Sequence, residues 1–93
     1  MVIGVLHLQL AIREANSLKD KRRVLKGLRD RIRNEFNVSI SEVDGQDLRR
    51  SATMAVALVT GRGGFADKVM AKVVERVRRT PGAELVHYET EIL

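Results

Sequence analysis

Residues 17–36 read SLKDKRRVLKGLRDRIRNEF. Leu18, Leu25, Leu28, Ile32 and Phe36 recur at steps of seven, three, four and four, which places them on one stripe of an α-helix. Ser17 supplies an N-cap, and Asp20 puts a carboxylate where the helix dipole favours one. The rest of the helix is basic: Lys19, Lys21, Arg22, Arg23, Lys26, Arg29, Arg31 and Arg33 are opposed only by Asp20, Asp30 and Glu35. At about 100° per residue, Lys19, Arg22, Arg23, Lys26, Arg29 and Arg33 gather on one arc running from beside the apolar stripe to opposite it.

Outward from this helix the pattern changes period. From Val2 to Arg13, Val2, Leu6, Leu8, Leu10 and Ile12 share one face, and Ile3, Val5, His7, Gln9 and Arg13 the other, as in a half-buried strand. After the helix, Phe36, Val38 and Ile40 alternate with Asn37, Ser39 and Ser41, a second strand. The polar connection DGQDLRRS leads to ATMAVALVT, where Met54, Val56 and Leu58 alternate with Thr53, Ala55, Ala57 and Val59. Gly61, Gly63 and Gly64 end that strand and open a second helix with Ala66, Val69, Met70, Val73 and Val77 on its apolar face, stopped by Pro81-Gly82. From Glu84 to Ile92, Val86, Tyr88 and Ile92 oppose Leu85, His87, Glu89 and Glu91 in a fourth strand. The order strand, helix, strand, strand, helix, strand, with two right-handed crossovers and a hairpin, predicts one α+β domain over residues 1–93. It is the ferredoxin-like βαββαβ sandwich, an antiparallel sheet with both helices on one face and the first and third strands central.

Bulk properties bound the function. The 93 residues carry 17 Lys and Arg against 12 Asp and Glu, a formal net charge of +5, which favours an anionic partner. There is no cysteine, so no disulfide, thiol nucleophile or thiolate metal site. No apolar run reaches the roughly 18 residues of a membrane span. The segment MVIGVLHLQLAI lacks a basic leader and reads as a strand, so a reducing cytoplasm is the expected location.

The run SLKDKRRVLKGLRDRIRNEFNVSISEVDGQDL, preceded by MVIGVLHLQL, resembles the YlxP-like family of uncharacterised small bacterial proteins. SLK-x-KR followed by FNVS is the most distinctive part, and the similarity spans essentially the whole chain. The resemblance implies a ferredoxin-like fold, no established enzymatic activity, and genes often found near those for transcription and translation factors. The chain departs from the family after DL, where Arg49-Arg50 replace a segment that often carries an aromatic residue and Gln.

Two functional readings follow. In the first, the outer surfaces of the two helices form one basic layer that contacts RNA, the ribosome's included, with Lys19, Arg22, Arg23, Lys26, Arg29, Arg33, Lys68, Lys72 and Arg79 as its candidates. The bland counterpart is a solvated helix supported by local pairs such as Asp30 with Arg33 and Arg31 with Glu35. Ferredoxin-like RNA-recognition modules stack bases on aromatics of the central strands, and the open face here has none, so any RNA contact runs through phosphates and shape. In the second reading, the open sheet face pairs with a second copy or binds a protein or small ligand. Its candidates are Ile3, Val5, His7, Ala55, Ala57, Val59 and Leu85, and a homodimer is favoured.

Catalysis finds little footing. Acylphosphatases share the size, fold class and charge, but their phosphate-cradling glycine loop with its Arg is replaced here by REANS. The Gly61-Arg62-Gly63-Gly64 turn matches the short G-x-x-G pattern of a phosphate clamp, yet it joins a strand to a helix, where glycines are ordinary turn formers. His7, His87 and Glu89 would need an aligned register to hold a metal. No catalytic residue, metal site or cofactor is assigned.

Overall fold

The structure, a computed structural model, describes residues 1–93. Its elements are β1 (Val2–Ala11), α1 (Leu18–Glu35), β2 (Ser39–Asp44), β3 (Ser51–Thr60), α2 (Gly63–Arg78) and β4 (Glu84–Ile92). They build one antiparallel four-stranded sheet in the order β2-β3-β1-β4, the ferredoxin-like arrangement with β1 and β3 central. β1 and β3 pair without interruption from Val2↔Thr60 to Ala11↔Ser51. Because directly opposed residues share a face, Leu6, Leu8 and Leu10 lie over Val56, Met54 and Ala52, and all six are buried. Leu25, Leu28 and Ile32 of α1 and Ala66, Met70, Val73 and Val77 of α2 close the same core from one side.

α1 begins where its capping residues place it. The Asp20 N–H donates to Ser17 Oγ at 3.1 Å, and Asp20 Oδ2 accepts the Asn16 N–H at 3.0 Å, so each satisfies an amide the helix cannot. At the other end Phe36 is extended while its N–H still closes on Ile32 O. Phe36 thus completes the helix stripe, where alternation alone made it the start of a strand. The Val38 N–H then turns back to Phe36 O, and β2 starts at Ser39 and runs on to Asp44.

Two one-residue irregularities shift the edge strands. β2 skips a partner at Val43, between Glu42↔Met54 and Asp44↔Thr53. In β4 the register passes from Gln9↔His87 to Leu10↔Leu85, leaving Val86 unpaired and 60% exposed. An extra residue reverses the alternation beyond it. Leu85 therefore lies opposite the buried Leu10 and packs on the core, and the sequence-based assignment of Leu85 to the open face is corrected.

α2 lies closely on β1 at Gly4, where a Cβ would fall 3.3 Å from Ala66 Cβ and 3.4 Å from Met70 Cε. Replacing Gly4 with Val should cost about 1–3 kcal/mol through overpacking, a fall of roughly 5–20 °C in the thermal midpoint. An unchanged melting curve would mean the helix can lift from the strand freely. Gly82, at φ 82°, makes the turn after Pro81 against Val24 of α1. No helix is long and apolar enough to cross a membrane.

Candidate nucleic-acid interface

The apolar stripes of both helices face the sheet, so their cations face away from it. On α1, Lys19, Arg22 and Arg23 are exposed and Arg29 half-buried, and none makes an ion pair or hydrogen bond through its side chain. On α2 and at its C-cap, Lys68, Lys72 and Arg79 are likewise exposed and unpaired. The helical repeat sets Phe65, Lys68, Lys72, Arg76 and Arg79 on one arc about 80° wide. Seven of the nine sequence-chosen cations therefore present uncommitted charge from the helix layer.

The other two are engaged. Lys26 Nζ donates to Asp30 Oδ2 at 2.8 Å, one turn along the exposed face. That hydrogen bond holds the Asp30 carboxyl below the usual carboxylate range; desolvation opposes it, and the charges of Lys26, Arg33 and Arg29 reinforce it. Arg33 Nη2 donates to Ile40 O at 3.0 Å and ties α1 to β2. The expected local pairs are thus replaced. Asp30 takes Lys26 rather than Arg33, and Glu35 is held from the other helix by Arg76, whose Nε donates at 2.6 Å while its Nη2 takes the second oxygen. This two-point clamp raises the Arg76 pKa above its ordinary value, first by the hydrogen bond and then by the charge of Glu35.

Lys21 is not on the surface at all. Its side chain is fully buried, with Nζ donating to Gly45 O at 2.9 Å, to Ser51 O at 3.0 Å and to Leu48 O. Those bonds use all three ammonium protons. Glu42 Oε2, 2.8 Å from the same nitrogen, accepts no hydrogen bond and serves as a counter-charge. The polar connection between β2 and β3 is thereby tied to α1. The seven-residue step from Leu18 to Leu25 held the signal, because position 21 is the missing member of the inward stripe.

The opposite face of the sheet carries different chemistry. Ile3 pairs with Val59, Val5 with Ala57 and His7 with Ala55, so six of the seven interface candidates form one strip across the central strands. Beside it, Glu91 lies opposite Val5 and Glu89 opposite His7. His7 Nε2 is 3.7 Å from Glu91 Oε1, and His87 Nε2 is 3.3 Å from Glu89 Oε1. Each imidazole leans to a different carboxylate, and no group of three ligands converges. Arg13, which follows β1, is bound to Glu84, and Arg62, before α2, gives the helix no side-chain cap.

One concavity joins the helix layer to the sheet edge. α1 stops at Glu35, which Arg76 of α2 holds. Phe36, Leu58, Val59, Phe65 and Val69, with Glu35, Asn37 and Lys72, line a notch of about 380 Å³ there. A shallower cavity of about 580 Å³ continues from Glu35, Phe36 and Lys72 along α2 to Arg79. Both phenylalanines of the chain meet in this notch, and Phe65 is 51% exposed. Sequence reasoning missed it, having looked for aromatics only on the sheet.

Comparison with known proteins agrees with this architecture. The family described as "Protein of unknown function (DUF503)" matches residues 3–90. The uncharacterized protein YlxP of Bacillus subtilis (strain 168) is 34% identical over 90 residues, covering 97% of this chain and 98% of its own. Among solved structures, the de novo designed protein LFR1 1 with ferredoxin fold superposes at a TM-score of 0.57 and 14% identity, over 99% of this chain and 85% of that one. The de novo designed protein Foldit4 gives a TM-score of 0.57 at 10% identity, over 100% and 97%. These two likenesses concern the fold alone.

Proposed function

We propose, for a chain that belongs to the DUF503 family of proteins of unknown function, that it is a non-enzymatic cytoplasmic RNA-associating protein. Its helix layer docks on RNA phosphates, with ribosomal RNA as the favoured target. The observation that carries this reading is segregation: seven candidate cations stand uncommitted on the helices, while Glu84, Glu89 and Glu91 belong to β4, which has no Lys or Arg. A layer engaging about 4–6 phosphates gives a log–log salt slope near −3 to −5, a loss of roughly 10²–10³ in affinity between about 50 and 200 mM salt. The test reverses Lys19, Arg22, Arg23 and Arg29 to Glu: RNA association should be lost with the fold intact, and unchanged association would remove α1 from the interaction.

A second reading, in which the open face pairs with another copy of the chain, draws on the strip Ile3–Val59, Val5–Ala57 and His7–Ala55. Val5→Glu combined with Ala57→Glu should then halve the mass in solution at micromolar concentration. A mass equal to that of the unmodified chain would rule out the face-to-face arrangement. Because the two surfaces lie on opposite sides of the sheet, loss of one should leave the other working.

A further inference from the structure

Resting on the RNA reading above, we infer that the Phe36–Phe65 notch is a pocket for one unstacked nucleobase, so that the layer's partner is single-stranded rather than fully duplex RNA. Two observations converge on it. The chain has only two phenylalanines, far apart in sequence, and both line this one notch. Phe65 keeps 51% exposure at the start of α2, on the outward arc it shares with Lys68 and Lys72. An exposed aromatic at a cationic surface is what base stacking uses, and it tolerates any base because each has a π-face.

The charge around the notch suits a phosphate on either side of such a base. Its two charged lining residues are Glu35 and Lys72, and Glu35 is already neutralised by Arg76. Lys72 is unpaired, Lys68 stands one turn before it on the same arc, and the cavity continues past Glu75 to Arg79. A strand entering here keeps its base on Phe65 and its backbone on the lysines, at the edge of the helix layer. Sequence preference is expected to be weak, since the lining offers few hydrogen-bonding groups to a base edge.

An extended peptide is the competing occupant, and the backbone disfavours it. Ile3 exchanges both of its backbone bonds with Leu93, so Gly4 and Leu58 bond each other and the odd-numbered residues of β3 face β2. β2 begins opposite Ala57, which leaves only Val59 with free ladder groups at the notch. One such residue is too little for strand addition, which draws its affinity from a row of main-chain bonds.

The test compares a 12-nucleotide single strand with a duplex of the same length, in low salt, on wild type, Phe65→Ala and Phe65→Trp. Wild type should prefer the single strand, and Phe65→Ala should weaken that binding roughly 5- to 100-fold, leaving duplex binding and the salt slope unchanged. Phe65→Trp, which gives the chain its single tryptophan, should keep the affinity and lose fluorescence on adding the single strand but not the duplex. RNA binding that Phe65→Ala leaves intact overturns the base pocket while the helix-layer reading stands. Binding of neither RNA by wild type overturns both. A fluorescence change of the Phe65→Trp protein with an extended peptide alternating Phe and Glu, and none with RNA, reassigns the notch to a peptide.

Discussion

Replacing Lys21 with Met is expected to destabilise the fold by about 3–5 kcal/mol, the usual consequence of stripping one partner from a buried ion pair. The substitution leaves Glu42, whose side chain is 13% exposed, without its counter-charge, and strands the carbonyls of Leu48 and Ser51, while Gly45 O keeps only the Leu48 N–H. Against a total of about 5–15 kcal/mol for a domain of this class, that is a large share, and the thermal midpoint should fall by roughly 12–40 °C. Lys19→Met, two residues away and exposed, should stay within about 0.5 kcal/mol of wild type. Adding Glu42→Leu to Lys21→Met should recover part of the loss, because the buried charge disappears with its partner. Denaturant melts of the four proteins check this. A Lys21→Met protein within about 1 kcal/mol of wild type would mean that the lysine is not the tie between α1 and the β2–β3 connection.

Reversing Lys19, Arg22, Arg23 and Arg29 to Glu should abolish measurable RNA binding near physiological salt. Each lost phosphate contact takes about 0.7–0.9 from the log–log salt slope, so removing four brings a slope of −3 to −5 to between about 0 and −2. The reversed charges also repel the backbone, adding to the loss. These four were chosen because the structure leaves them free: Lys26 would take Asp30's partner with it, and Arg33 the bond to Ile40 O. The melting curve should change little, since none of the four holds the core together. Binding that persists with its original slope would place the interface elsewhere on the molecule.

Much of the fold was legible because its signals are local. The period of Leu18–Phe36, the Ser17 cap and the alternation of β1 and β3 each appear within a few residues, and the structure bears out the ferredoxin-like arrangement they imply. What misled was equally physical. A bulge inserts one residue without altering composition, so the alternation of β4 put Leu85 on the wrong face until Val86 was found unpaired. Arg76 and Glu35 are 41 residues apart, and no helical spacing rule reaches that far. Of the candidate site, the exposed cations were readable from the helix wheel. The Phe36–Phe65 notch was not, because its lining comes from the end of α1, the end of β3 and the start of α2, which only the tertiary packing brings together.

The most direct measurement is a titration of the purified protein against ribosomal RNA and an unrelated duplex across salt. The expected result is a slope near −3 to −5 for both, with a preference for ribosomal RNA that survives at about 150 mM. Equal affinity for the two at every salt would contradict ribosomal RNA as the target, and no binding even at about 50 mM would contradict the RNA-docking role of the helix layer.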